Sequence, residues 1–203
     1  MRTVFPRRVR GLLFDLDGTL VDSGLDFDAM RREMLLPSHL SVLEALHQLT
    51  PRDADRCREI LDRHEREGAL RAVPLPGVSA FLRQIAPLGL RQGVVTRNSR
   101  KAARLALRRC DLNFRYVLTR DDGPVKPDPW AILRLCEEWD VRPSEVLVCG
   151  DFRFDIEAGI AAGAGTVLVC NGREPSSIAG YELADYCLPS FVESGGLLRL
   201  LRG

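Results

Sequence analysis

Five short, apolar, β-branched runs punctuate the chain: Leu12–Phe14, Gly93–Thr96, Tyr116–Thr119, Val146–Gly150 and Thr166–Cys170. They alternate with helical patterns over Val78–Pro87, Arg100–Cys110, Pro129–Trp139 and Ile156–Ala162. Each run is continuously apolar rather than apolar at every second position. That is the mark of strands buried on both faces of a parallel sheet. The order predicts an α/β, Rossmann-like parallel sheet sandwiched by helices, with ligands bound outside the carboxyl ends of its strands.

One segment breaks the alternation. From about Asp22 to Val73 no convincing strand occurs, whereas Phe27–Leu36, Leu40–Leu49 and Ala54–Ala69 read as helices with Pro37 and Pro51 near their boundaries. Thr50-Pro51-Arg52-Asp53 has the form of a helix start, with proline in the first turn. Pro74-Leu75-Pro76-Gly77 reads as a stiff return to the sheet. The segment is too long for a structureless loop inside a compact domain. The expectation is a core over 1–21 and 76–203 and a small α-helical unit, 22–75, inserted after the first strand. A chain of 203 residues suits one core and a small accessory unit.

Composition excludes several classes. The formal charge is +1, from 29 basic and 28 acidic residues, without the basic excess of a nucleic-acid binder. No apolar run approaches the roughly 18–20 residues of a membrane span. The basic stretch Met1–Arg10 lacks the apolar block of a signal peptide, so a cytoplasmic location is expected. The six cysteines form no C-x-x-C pair and read as buried free thiols of a reducing compartment. His39, His47 and His64 lack zinc-type spacing, and His39 and His47 are expected on helix surfaces. Only two lysines occur, Lys101 and Lys126; the other 27 basic residues are arginines. A chain so biased to arginine that places lysine at 126 has either kept it by chance or needs an ammonium there.

The strand ends carry the chemistry. The first runs into Asp15-Leu16-Asp17-Gly18-Thr19. Residues two apart share one side of a strand, so Asp15 and Asp17 can reach one site unless a turn re-aims either. Two carboxylates in a small space require a cation or a shared proton. The second strand ends in Thr96-Arg97-Asn98-Ser99, a hydroxyl before a helix N-terminus; that arrangement can cradle phosphate or simply cap the helix. After the third, prolines stiffen Pro124-Val125-Lys126-Pro127-Asp128-Pro129, where lysine can act as a compact point charge. The fourth supplies Asp151 and Asp155. Mg²⁺ is a hard ion held by one or two carboxylates together with phosphate and water, and Asp15 and Asp151 suit it.

In that order, Asp15-Leu16-Asp17-Gly18-Thr19, Thr96, Lys126 and Gly150-Asp151 with Asp155 resemble the four motifs of the haloacid dehalogenase superfamily of hydrolases. The resemblance is to the branch with a helical cap after the first motif. Thr119-Arg120-Asp121-Asp122 and Lys126-Pro127-Asp128-Pro129 are similar to phosphoglycolate-phosphatase-like members. The resemblance implies a Mg²⁺-dependent phosphatase acting on a small phosphorylated metabolite. Asp15 would be the nucleophile that forms an aspartyl-phosphate. Asp17 would be the acid/base, starting protonated while Asp15 stays ionised, with its backbone carbonyl also on the metal. Thr96 would bind the phosphoryl group and Lys126 would steady its charge. Asp15, Asp17, Asp151 and Asp155 would form the metal site. Asn98 and Arg97 join Thr96 and Lys126 as substrate-binding candidates, although a solvent-facing side chain is the favoured reading of Arg97, which stands where the family commonly has asparagine.

Two other functions are compatible with the same fold. A phosphomutase of the β-phosphoglucomutase type would carry a histidine just after the first motif, and none precedes His39. A non-catalytic regulatory relative could dispense with acids that are all present here. A phosphonate-cleaving relative would need a cap lysine, and 22–73 has none. In the insert, Arg31, Arg32, Arg63 and His64 are candidates for reaching an anionic substrate. No nucleic-acid or membrane partner is expected, and monomer and homodimer are both compatible with the sequence.

Overall fold

The computed structural model describes residues 6, 8–37 and 40–202. Six strands form one parallel sheet: β1 (Gly11–Phe14), β4 (Arg91–Val95), β5 (Tyr116–Leu118), β6 (Val146–Gly150), β7 (Gly165–Val169) and β8 (Tyr186–Leu188). Their spatial order is β5-β4-β1-β6-β7-β8, and every neighbouring pair is parallel. β1 lies between β4 and β6, so the segment after Phe14 emerges in the middle of the carboxyl edge.

The period of two along β1 divides the core. Leu12 and Phe14 enter an apolar layer with Val78, Phe81 and Ile85 of α4 (Val78–Ile85), Ala103 and Leu107 of α5 (Arg100–Arg109) and Leu197 of α8 (Gly195–Arg202). Leu13 faces the opposite layer. There it meets Ile132, Leu135 and Trp139 of α6 (Trp130–Trp139) and Ala158 of α7 (Arg153–Ala162). The continuous apolar runs are thus explained by helices on both faces. β1 starts at Gly11, one residue before the apolar run Leu12–Phe14.

Between the two-residue strands β2 (Val21–Asp22) and β3 (Val73–Pro74) the chain makes α1 (Phe27–Met34), α2 (Val42–Leu46) and α3 (Pro51–Arg71). These helices bury a cluster of their own around Met30, Met34, Val42, Leu46, Cys57 and Leu61. Local chemistry sets their starts. Asp26 accepts the Ala29 N–H before α1, and Thr50 accepts the Asp53 N–H before α3 with Pro51 in its first turn. β2 and β3 pair antiparallel, Val21 opposite Pro74 and Asp22 opposite Val73. That ribbon lies at the ends of the stretch where no strand was expected, and two residues per side are too few to leave a pattern.

β8 and α8 are additions to the expected elements. β8 is a three-residue edge strand with Tyr186 and Cys187 half-buried, so it lacks the continuous apolar signature of the inner strands. The cysteines are unpaired, five buried and Cys187 half-buried. His47 is exposed at the C-terminal end of α2, and His39 lies outside the described residues. No helix of the described residues is long and apolar enough to cross a membrane.

Phe14 ties the centre of the sheet to the helices above it. Its ring is fully buried, with centroids 6.4 Å from Phe81, 6.0 Å from Phe114 and 6.4 Å from Phe191. Phe14→Ala should lower the unfolding free energy by about 3–5 kcal/mol. Urea denaturation followed by circular dichroism measures this, and a loss below about 1 kcal/mol would contradict the packing described.

Candidate active site

The carboxyl edge gathers acids around one ammonium. Lys126 Nζ lies 2.5 Å from Asp15 Oδ1, 2.6 Å from Asp155 Oδ1 and 2.7 Å from the carbonyl oxygen of Val95. Lys126 and Asp155 are buried and Asp15 is half-buried. An ammonium has three N–H donors, and here each has an acceptor. Burial alone would lower the Lys126 pKa, but the charges of Asp15 and Asp155 and their hydrogen bonds outweigh it and hold the amine above its usual value.

Asp151 completes the cluster. Asp15, Asp151 and Asp155 each place a carboxylate oxygen within 4.8 Å of the others. Burial, then the charges of Asp15 and Asp155, push Asp151 up to about 7 against the pull of Arg173 and Lys126. Asp155 is also raised, by burial first, with Lys126 opposing. Three hard oxygen donors in this state suit a hard divalent ion such as Mg²⁺. Two glycines make the crowding possible. Gly18, at φ +75, faces the Asp151 carboxylate, which a Cβ at this position would meet at 2.5 Å. A Cβ at Gly150 would collide with the Asp155 side chain. Asp155 also accepts the Phe152 N–H at 3.2 Å, at the start of α7.

Asp17 is separated from its neighbour by its partners. Ser23 Oγ donates to Asp17 Oδ1 and Asn98 Nδ2 donates to Oδ2. The turn after β1, closed by the Leu20 and Val21 N–H groups on the Leu16 carbonyl, places the two acids in different company. Burial raises the Asp17 pKa to about 6; the Asp15 charge adds to the rise, while the Ser23 and Asn98 hydrogen bonds oppose it. Thr96 is buried at the end of β4, and its Oγ1 accepts the Asn98 N–H at 3.2 Å.

Other placements differ from expectation. Arg97 does not face solvent, because its guanidinium is engaged by Glu44 and the Lys126 carbonyl. In the insert, Arg31 pairs with Asp28, while Arg63 and His64 pair with Glu33, so three of the four candidates there are held by acids of the insert itself. Ser23, Arg173 and Asn171 were not singled out by sequence. Arg173 Nη2 reaches Asp151 Oδ2 at 3.1 Å, and Asn171 Nδ2 donates to the Gly18 carbonyl. Asn171 and Arg173 follow the fifth apolar run, at a strand end like those that yielded the other site residues. A groove of about 880 Å³ between α2, α3 and α5 is lined by Arg66, Lys101, Arg108 and Arg120. It lies beside the acid cluster rather than over it.

Residues 29–169 match the family described as haloacid dehalogenase-like hydrolase, a range that starts after Asp15 and Asp17. A haloacid dehalogenase-like hydrolase domain-containing protein of Arabidopsis thaliana is 32% identical over 207 residues, covering 94% of this chain and 84% of that protein. An N-acetylmuramic acid 6-phosphate phosphatase of Pseudomonas aeruginosa is 31% identical, over 81% and 83% of the two chains. A phosphoglycolate phosphatase of Nitrosospira multiformis is 27% identical, over 96% and 98%. The fold matches the crystal structure of a hydrolase from Pseudomonas syringae with a TM-score of 0.77 at 21% identity, covering 94% and 98%.

The raised carboxyls set a pH dependence with a definite sign. An acid whose pKa is higher in the folded than in the unfolded chain takes up its proton preferentially when folded, so acidification favours folding. The contribution of Asp151 and Asp17 to stability should therefore grow as pH falls from 8 through about 7 and about 6. Urea denaturation of metal-free protein at pH 8 and 5.5 should show a smaller destabilising contribution from these acids at the lower pH. Lys126→Met should cost about 3–5 kcal/mol at pH 8 by leaving buried charges unpaired, and visibly less at pH 5.5. An equal cost at both would contradict the ion-pair geometry.

Proposed function

The chain belongs to the haloacid dehalogenase-like hydrolases and is a phosphatase of that family, and from the placement of its acids we propose a Mg²⁺-dependent enzyme that hydrolyses a small phosphomonoester through an aspartyl-phosphate on Asp15. The observation that carries this reading is the buried Lys126 ammonium shared between Asp15 and Asp155, with Asp151 in the same cluster. A carboxylate approaching a phosphate dianion meets like-charge repulsion, and a fixed ammonium offsets part of it.

Asp15 attacks phosphorus through a carboxylate oxygen as the bond to the leaving oxygen breaks. Asp17 delivers its proton to that oxygen, then takes one from the water that attacks the aspartyl-phosphate. Inorganic phosphate leaves and Asp15 is restored. A pKa near 6 keeps Asp17 able to work in both directions near neutral pH. The hydroxyl proton of Thr96 remains for donation to a phosphoryl oxygen. Asn98, already donating to Asp17, holds that acid in place. Asp15, Asp151 and Asp155, with the Asp17 carbonyl, would hold Mg²⁺, which when bound supplies further positive charge to the phosphoryl oxygens. Residues 22–75 act as a cap on the core formed by 1–21 and 76–203, excluding water and choosing the substrate. The relatives named for phosphoglycolate and for N-acetylmuramic acid 6-phosphate support a small, acidic phosphomonoester as substrate.

Hydrolysis of p-nitrophenyl phosphate should require Mg²⁺ and stop with a chelator. Asp15→Asn should lower kcat by at least about a thousandfold. Wild-type protein as inert as Asp15→Asn would overturn the proposal.

Mg²⁺ should also raise the unfolding temperature of Asp15→Asn less than that of wild type, since one ligand is altered. In wild type the rise should shrink as pH drops below about 7, where Asp151 begins to hold a proton that the ion must displace. A Mg²⁺-induced shift that is unchanged between pH 8 and 5.5 would argue against this ligand set.

A further inference from the structure

Arg97 meets four residues from three parts of the molecule at one guanidinium. It leaves the turn after β4, between Thr96 and Asn98. Its Nη1 donates to the Lys126 carbonyl at 2.6 Å. Its Nη2 lies 2.7 and 2.8 Å from the two carboxylate oxygens of Glu44 on α2 and 3.3 Å from Ser41 Oγ, the residue capping that helix. Its guanidinium carbon stands 4.4 Å from the ring centroid of Phe154, one residue before Asp155. Four-fifths of the side chain is withdrawn from solvent, at 19% exposure.

We propose that Arg97 is a positioning residue that latches α2 of the insert to the catalytic edge and so couples the position of the insert to Lys126. The inference rests on the phosphatase reading above and on the insert acting as a cap. A five-residue helix cannot hold itself together, so α2 depends on contacts such as this one. The opposite end of the same guanidinium supports the backbone of the residue whose ammonium neutralises Asp15. A planar cation with donors on separate nitrogens can make both contacts at once; an ammonium on a flexible stem cannot keep that geometry. The two residues that follow extend the link. Asn98 donates to Asp17, while Ser99 donates through its N–H (3.1 Å) and Oγ (2.8 Å) to the buried Glu65 of α3. Three consecutive side chains therefore touch α2, the acid Asp17 and α3. Glu44 also neutralises Arg97, which is why the arginine is not a ready ligand for substrate anions.

Two readouts test this. Hydrogen exchange at the amides of Val42–Leu46 should speed up roughly three- to tenfold in Arg97→Ala and in Glu44→Gln, and no further in the double variant, as for one partly buried ion pair. With p-nitrophenyl phosphate, kcat should fall roughly ten- to a hundredfold in Arg97→Ala, as for slightly misplaced catalytic groups. Arg97→Lys should resemble Arg97→Ala. Glu44→Gln, a conservative change at a half-buried position, keeps the test decisive if Arg97→Ala folds poorly. The opposing possibility is that Arg97 binds substrate directly. In that case Glu44→Gln would leave kcat and α2 exchange unchanged and lower KM for 2-phosphoglycolate, and this result would overturn the latch. So would unchanged exchange in both single variants. Absence of turnover in the wild type would instead sink the phosphatase reading, leaving the exchange data to decide the coupling of α2 to Arg97.

Discussion

The arrangement at the carboxyl edge depends on a buried ammonium. Without Lys126, Asp15 and Asp155 would face each other with no positive charge between them, in a space where burial already disfavours an ionised carboxylate. Lys126 meets three acceptors with its three donors, two carboxylates and the Val95 carbonyl. An arginine would present a broad plane and five donors to a space shaped for a point. This explains why a chain with 27 arginines has lysine at 126. The structure gives no comparable reason for Lys101, which is exposed on α5.

The fold delivers the parties to that ammonium from four strand ends. β1 brings Asp15 to the centre of the edge, β4 brings Val95 and Thr96 on one side, and β6 brings Asp151 with Asp155 on the other. The loop after β5 carries Lys126 back across the edge to Asp15. A parallel sheet points every carboxyl end the same way, so residues more than a hundred positions apart meet without any strand reversing. The cost is local crowding, which is absorbed at Gly18 and Gly150, where no side chain could fit beside Asp151 and Asp155.

Much of this was legible because it obeys periodicity. Continuous apolar runs reveal inner strands, and acids at their ends stand out against them. The lysine at 126 was visible by composition alone. What escaped was set by tertiary contact. Glu65 reads as one more charge on a solvated helix, yet it is buried and held by Ser99 and Arg120 across 34 and 55 residues. Arg97 looked solvent-bound because its partner, Glu44, lies 53 residues away with no spacing rule to connect them. β8 was hidden because an edge strand with half-buried residues lacks the inner-strand pattern. The helix pairs of the insert, Arg31 with Asp28 and Arg58 with Asp55, follow local spacing.

The two aspartates after β1 illustrate how identical side chains acquire different chemistry. They are separated by one residue, and a straight strand would have pointed both toward one site. The turn at Gly18 instead gives Asp15 a cation and gives Asp17 two neutral donors, Ser23 and Asn98. Those two hydrogen bonds lower the Asp17 pKa, but burial and the neighbouring charge still carry it up to about 6. In the proposed mechanism Asp15 attacks and Asp17 transfers the proton, two tasks that call for such different settings. Ser23 follows β2 at the junction of core and insert, whereas Asn98 lies in the loop between β4 and α5, next to Arg97. Through Ser23, Asp17 is tied to the junction of core and insert, whereas Asp15 directly follows the central strand and meets Lys126.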